Sequence, residues 1–295
     1  MTKKTLTLSK KRQDWVKQFK PTAALNGTPL NYNYAVSSRY VRELVRLVKQ
    51  MTAQTERDLI KNFKTEHAEE FFAEDASISA SSRILTNALM KKFNQLFANK
   101  APKLAAKMID DTDKASSAAL SESLKTLSGG VTLNTKILTE QMGDILSASI
   151  TENVGLIKSI SSEYFTDVQG AVMRSITTGN GLADLIPFLK KHEGITIRRA
   201  TLIANDQTKR VFISLNYARL QKLGVKKFKW VHSSGGQEPR KLHEHLSGQI
   251  FEFDDPPIIQ YAKGSQPEIR NLPGFLINCK CRANPVIEFN EGKEE

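Results

Sequence analysis

Apolar residues recur at helical spacing through most of this chain and change to alternation only near its C-terminal end. Val41, Leu44, Val45, Val48, Met51, Leu59, Ile60 and Phe63 fall on one stripe of a 3.6-residue period, which predicts a long amphipathic helix from Ser37 or Ser38, as N-cap, to about Phe72. A second stripe, Ile84, Leu85, Ala88, Leu89, Phe93, Leu96 and Phe97, predicts a helix from about Ile78, with Pro102 placed to end or kink it. The Ala/Ser/Lys/Asp-rich run Lys103 to Leu127 extends the helical character, and Gly129-Gly130 is the clearest internal break. Beyond it, Val131 to Asn134 reads as extended and a further helix is expected from near Thr135. The period is interrupted over Glu152 to Ile160 and returns through Tyr164, Val168, Val172 and Ile176. Two short helices are expected at 182–190 and 196–223, the second closed by Gly224 in the C′ position.

After Gly224 the pattern switches. Lys227-Phe-Lys-Trp-Val-His232 alternates as a half-buried strand does, and Ser233-Ser-Gly-Gly236 reads as a turn. Gln249 to Phe253 and Ala283 to Phe289 are two further short strands, joined by the turn-rich stretches Asp254 to Pro257 and Leu272 to Gly274. The fold class expected is therefore α+β: a mainly helical N-terminal region of long amphipathic helices followed by a small β-containing module. The boundaries expected are an extended basic arm at 1–35, a helical region at 36–225 with a possible break at 128–134, the module at 226–290 and an acidic tail at 291–295.

Composition narrows the role. The net charge is +12, and half of the excess comes from residues 1–20, where seven Lys/Arg oppose only Asp14. Lys3, Lys4, Lys10, Lys11 and Arg12 are the expected contacts to a polyanion or an acidic protein surface; the alternative is a solvated basic arm. No run of about 18 apolar residues predicts a membrane span, and the basic N-terminus lacks the apolar core of a signal peptide. The expectation is a protein made and kept in a cytoplasm, with no membrane partner.

The rare side chains gather in the module. Residues 230–282 hold three of the five histidines, both cysteines and one of the two tryptophans. In an extended segment, residues two apart share a face, so Cys279 and Cys281 can aim both sulfurs at one spot, and His243 and His245 have the same spacing. Two thiolates and two imidazoles suit tetrahedral Zn²⁺, although Cys-x-Cys is not the familiar Cys-x2–4-Cys spacing. The competing uses are small buried thiols, or a Cys–His nucleophile pair with Arg240 or Arg282 holding an anion. No acidic residue is placed to orient the imidazole, no His-Glu-x-x-His run is present, and no Gly-x4-Gly-Lys-Ser/Thr loop implies an ATP-driven motor. Trp230 is expected in the core and Gly248 at a turn of positive φ, while Arg240, Lys241 and Arg282 read either as interaction residues or as partners of Asp254 and Asp255 in ion pairs.

An ordered set of residues resembles the phage Mu F-like head morphogenesis family. It runs Asn153-x2-Leu156-Ile157, Arg199-Ala-x2-Ile203-Ala204-x-Asp206-Gln207, Gly224, Trp230, Gly235-Gly236-x3-Arg240-x2-His243-x4-Gly248 and Pro273-Gly274-x3-Asn278-Cys279-Lys280-Cys281-Arg282. Lys280 stands where many members carry Arg, Arg240-x-x-His243 where others carry Cys-x-x-Cys, and Ser247 where an acidic residue is frequent. Residues 1–150 match only in being helical. The resemblance implies a minor capsid protein of a tailed phage, inside the head near the portal vertex, with portal protein as partner and scaffold, major capsid protein or phage DNA as further partners. It implies a role in head assembly and in DNA delivery, and no reaction. It marks Trp230, Arg240, His243, Gly248, Asn278, Cys279, Cys281 and Arg282 as the family-type site. The rival readings are a basic DNA-binding protein and a Cys/His-dependent hydrolase acting on phage or host DNA.

Overall fold

The structure, a computed structural model, describes residues 24–26, 28, 30–69, 78–127, 140–233 and 239–288. Four long helices dominate: α1 (Tyr34–Glu69), α2 (Ile78–Leu127), α3 (Glu140–Thr177) and α4 (Leu182–Lys222). The remaining elements are β1 (Ala24–Asn26), β2 (Lys227–Val231), the short helix α5 (Lys241–His245), β3 (Ile250–Glu252), β4 (Ile258–Gln260), β5 (Ile269–Arg270) and β6 (Arg282–Glu288). The expected α+β class holds. The basic residues Lys3 to Arg12, the stretch 128–134, the turn at 234–236 and the acidic tail lie outside the described residues.

The helices are longer and more continuous than the sequence pattern implies, and each difference has a local cause. Ser37 is buried inside α1 rather than capping it, because the helix already begins at Tyr34. Pro102 does not end α2; it lies on an exposed face, where the carbonyl of Ala98, deprived of its usual donor, can turn to water. α3 runs unbroken through 152–160, where the sequence loses its period. The apparent gap is Asn153, fully buried, whose amide donates to Ser149 O (2.8 Å) and Gln207 Oε1 (3.2 Å) and whose Oδ1 accepts from the Tyr40 hydroxyl (3.2 Å). A polar residue satisfied on every side can sit in a helix core without interrupting it. The two short helices expected at 182–223 are the single helix α4.

The chain divides into two compact units that interleave in sequence: Met1–Tyr34, Asp110–Ser147 and Thr208–Glu295 make one, Ala35–Ile109 and Ala148–Gln207 the other. The second unit holds helices and the turn at 178–181, with no strand among its described residues. Its core contains Leu44, Val48, Met51, Leu59, Phe63, Phe97 and Ile157, with Phe93 stacked on Phe165 at 6.0 Å and Tyr164 set edge-on to Phe165 at 5.2 Å.

The first unit carries the sheet. Its strand order is β1-β6-β2-β3, all neighbours antiparallel, and β4 and β5 form a separate antiparallel pair with an irregular register. β2 alternates as expected, turning Phe228 and Trp230 inward, both with no exposed surface. Leu120, Leu124, Phe212, Tyr217, Leu220, Val225 and Phe253 pack with them. The segment ahead of α1 supplies β1 against β6, and Leu30 and Tyr32 join this core, so these residues of the expected arm belong to the sheet-bearing unit.

Glycines fix two turns that aim the module. Gly224 (φ 79) closes α4, with Val225 N donating to Leu220 O at 3.0 Å, a Schellman-type end. Gly248 (φ 86) donates to Trp230 O at 2.8 Å, tying the end of α5 to β2 as expected. Gly274 (φ 93) is tighter still: a Cβ there would collide with Ile213 Cδ1 and sit 3.2 Å from the carbonyl oxygen of Cys281. Left-handed backbone disfavours a side chain and the space is already filled, so Gly274→Ala should cost about 2 kcal/mol. Chemical denaturation of the variant measures this, and a change under about 0.5 kcal/mol contradicts the packing account.

Candidate functional site

The chemistry-bearing residues of the module meet in its interior. α5 is a helix of five residues whose third, His243, is 2% exposed, while Cys279 and Cys281 are 3% and 4% exposed. Successive helix residues are about 100° apart, so His243 and His245 face nearly opposite ways. His245 is accordingly exposed. This corrects the expectation that His243 and His245 act as a pair: their spacing converges on a strand and diverges on a helix. His232, just after β2, is half-buried and also outside the cluster.

The cysteines arrive on an irregular segment before β6. Asn278 (φ 60) is the one described non-glycine residue with positive φ, and Asn tolerates the left-handed region better than most side chains. Its turn is tied by Cys279 N donating to Leu276 O at 2.9 Å. Lys209 Nζ reaches the Cys279 carbonyl at 2.5 Å and the Tyr217 hydroxyl donates to Pro273 O at 3.0 Å. Neither Lys209 nor Tyr217 stands out in the sequence; both lie on α4, far from the cysteines in the chain, and only the fold brings them there.

His243 Nδ1 lies 3.4 Å from Cys279 Sγ and 3.5 Å from Cys281 Sγ. Its other nitrogen, Nε2, lies 3.0 Å from the backbone oxygen of Ile259 on β4. A carbonyl can only accept, so Nε2 carries the hydrogen and Nδ1 turns its lone pair toward the two sulfurs. Trp230 closes another side, with its ring edge-on to the imidazole at 5.3 Å. The hydrogen bond from the Cys281 thiol draws the Cys279 thiol well below the usual thiol range, against the opposing effect of burial. The Cys279 thiolate and then burial push Cys281 upward, above the usual thiol range. Among the groups that favour a Cys281 thiolate is the indole N–H of Trp230, buried and otherwise without a partner. Cys279 is thus the readier thiolate of the pair.

The arginines do other work. Arg240 is exposed and donates to the Ile277 carbonyl at 3.0 Å, bracing the loop that leads to the cysteines. Arg282 donates to Asn31 Oδ1, linking β6 to the segment ahead of α1. The expected ion pairs of Arg240, Lys241 and Arg282 with Asp254 and Asp255 are not those observed. Asp255 pairs with Arg270 at 3.2 Å, and Asp254 accepts from Gln221 at 3.2 Å. The closer partners are set by the β4–β5 pairing and the end of α4, which the sequence does not reveal.

Comparison with known proteins agrees with the resemblance carried by these residues. Residues 166–284 match the family described as Phage Mu protein F like protein, a span that includes Trp230, Arg240, His243, Gly248 and the Asn278–Arg282 run. The Mu F-like recognition holds over that span. A Haemophilus influenzae protein described as "Uncharacterized protein" is 30% identical over 281 residues, covering 93% of this chain and 57% of its own length. This chain therefore spans little more than half of that relative. No solved structure matches it.

Proposed function

We propose that this chain is a minor capsid protein of a tailed phage that associates with the portal vertex and assists head assembly and DNA delivery. The observation that carries the reading is the family match over residues 166–284, which covers both the cysteine–histidine module and the helical segments leading into it. The physical character of the chain is consistent with it. The thiols and imidazole of the module are buried, which suits a structural core better than a nucleophile that must meet a substrate. Long helices with exposed apolar residues such as Ile84 and Leu202 offer faces to a protein partner. No helix among the described residues is long and apolar enough to cross a membrane.

The test is fractionation of phage heads produced with and without an intact copy of this protein. The full chain should be found in purified heads and should stay with the portal protein at moderate salt. Heads that lack the protein while assembling and packaging normally would overturn the reading. A second reading, direct binding to DNA, rests on the net charge of +12. It predicts affinity for duplex DNA that falls steeply with salt and weakens when residues 1–20 are removed. Binding insensitive to that deletion would discard it.

A further inference from the structure

We propose that His243, Cys279 and Cys281 are ligands of a zinc ion that pins α5 and the cysteine segment to the sheet. This inference concerns the module's own construction and stands independently of the head-assembly reading. The three residues come from two separate stretches of chain, all three are buried, and their ligand atoms lie within 4.8 Å of one another.

The distances fit a metal better than a chance cluster. Zn–N bonds of about 2.05 Å and Zn–S bonds of about 2.3 Å at a tetrahedral angle put nitrogen and sulfur about 3.6 Å apart. The two His243 Nδ1 to sulfur distances are 3.4 Å and 3.5 Å. The imidazole is also held ready. Its Nε2 hydrogen is engaged by Ile259 O at 3.0 Å, which fixes the tautomer that leaves Nδ1 free to coordinate. Metal-bound histidines almost always have such an outer partner.

The donor types select among metals. Two sulfurs and one imidazole are a borderline-soft set suited to Zn²⁺, whereas Mg²⁺ and Ca²⁺ require oxygen ligands. Two thiolates offset the dication, so the interior need hold no large net charge. Glu244 and His245, next to His243 in sequence, are both exposed and are not ligands. The mechanical consequence follows from position. His243 sits on a five-residue helix with no side-chain cap, and the cysteines on a segment without regular structure. A shared ion would replace the cooperativity that neither piece has by itself.

The test uses the full-length chain purified under reducing conditions. Elemental analysis should find about one zinc per chain. After removal by chelator, Co²⁺ titration should give a thiolate-to-metal charge-transfer band saturating at about one equivalent. His243→Gln and Cys279→Ser should each weaken Co²⁺ binding by more than about 100-fold, beyond the 10–100-fold typical of changes in the outer partners. His245→Gln should bind as the parent does. Should the substituted chains fail to fold, the titration of the parent still decides. A reduced parent chain that neither retains zinc nor produces the cobalt band overturns the proposal. So does a His245→Gln variant that loses the metal as fully as His243→Gln.

Discussion

Trp230→Ala should destabilise the sheet-bearing unit by about 3–5 kcal/mol, the range for deleting a fully buried large aromatic side chain. Trp230 has no exposed surface and is among the largest fully buried side chains in the protein. It lies on β2, with β6 on one side through Ala283 and backbone hydrogen bonds to Gln249 and from Gly248 on the other. Its loss therefore opens a cavity at the centre of the unit. The same ring walls the cysteine–histidine cluster, edge-on to His243 and with its N–H favouring the Cys281 thiolate. Trp230→Phe separates these two roles. Phenylalanine keeps most of the apolar volume but cannot donate, so about 1–2 kcal/mol should be lost rather than the full amount. Equilibrium denaturation of the three proteins, followed by circular dichroism, distinguishes the outcomes. A Trp230→Ala chain within about 1 kcal/mol of the parent would mean that the strand is not anchored through this residue.

How much of this arrangement could be read from the chain depends on whether the determining contacts are local. The long helices were legible because tens of residues repeat one period, and β2 because Phe228 and Trp230 alternate with polar neighbours. Gly224 and Gly248 were legible because a turn of positive φ admits few other residues. The features that the sequence conceals have short or distant causes. β1 is three residues long, Ala24-Leu-Asn26, too short for any pattern, and exists only because β6 offers it an edge. α5 is five residues long, too short to show a helical period, so the two-residue spacing of His243 and His245 suggests a shared face that the helix denies them. The breaks inferred at Pro102 and at 152–160 were local disfavours that tertiary structure overrides, through an exposed proline in one case and a buried, fully bonded Asn153 in the other. The ion pair of Arg270 with Asp255 was hidden among several equally plausible pairings. In the module, residue types announced that the cysteines and a histidine would meet, but which histidine was decided by backbone geometry.

The other large effect lies at a buried charge. Arg219 on α4 is 2% exposed, with Nη1 donating to Ser116 Oγ at 2.6 Å and Nη2 bonded to Asp113 Oδ1 on α2. A guanidinium is not neutralised by burial within the stable range of a protein, so its charge must be met where it stands. Its Nε already lacks a partner, which leaves the group dependent on the two contacts it has. Asp113→Ala should therefore cost about 3 kcal/mol, toward the low end for breaking a buried pair because the carboxylate side chain is 26% exposed. Arg219→Met should cost much less, within about 1 kcal/mol, although it removes the same ion pair. Methionine fills similar length without a charge to satisfy, and Asp113, left alone, can turn to water through its exposed side. Ser116→Ala should also stay near about 1 kcal/mol, since it removes one bond and leaves the carboxylate in place. The order of the three is the informative quantity, because a simple count of lost hydrogen bonds would rank Arg219→Met worst. Denaturant midpoints at constant slope measure it directly, and finding Arg219→Met the most damaging of the three would show that the pair supplies net stability rather than cancelling a charge the fold has already buried.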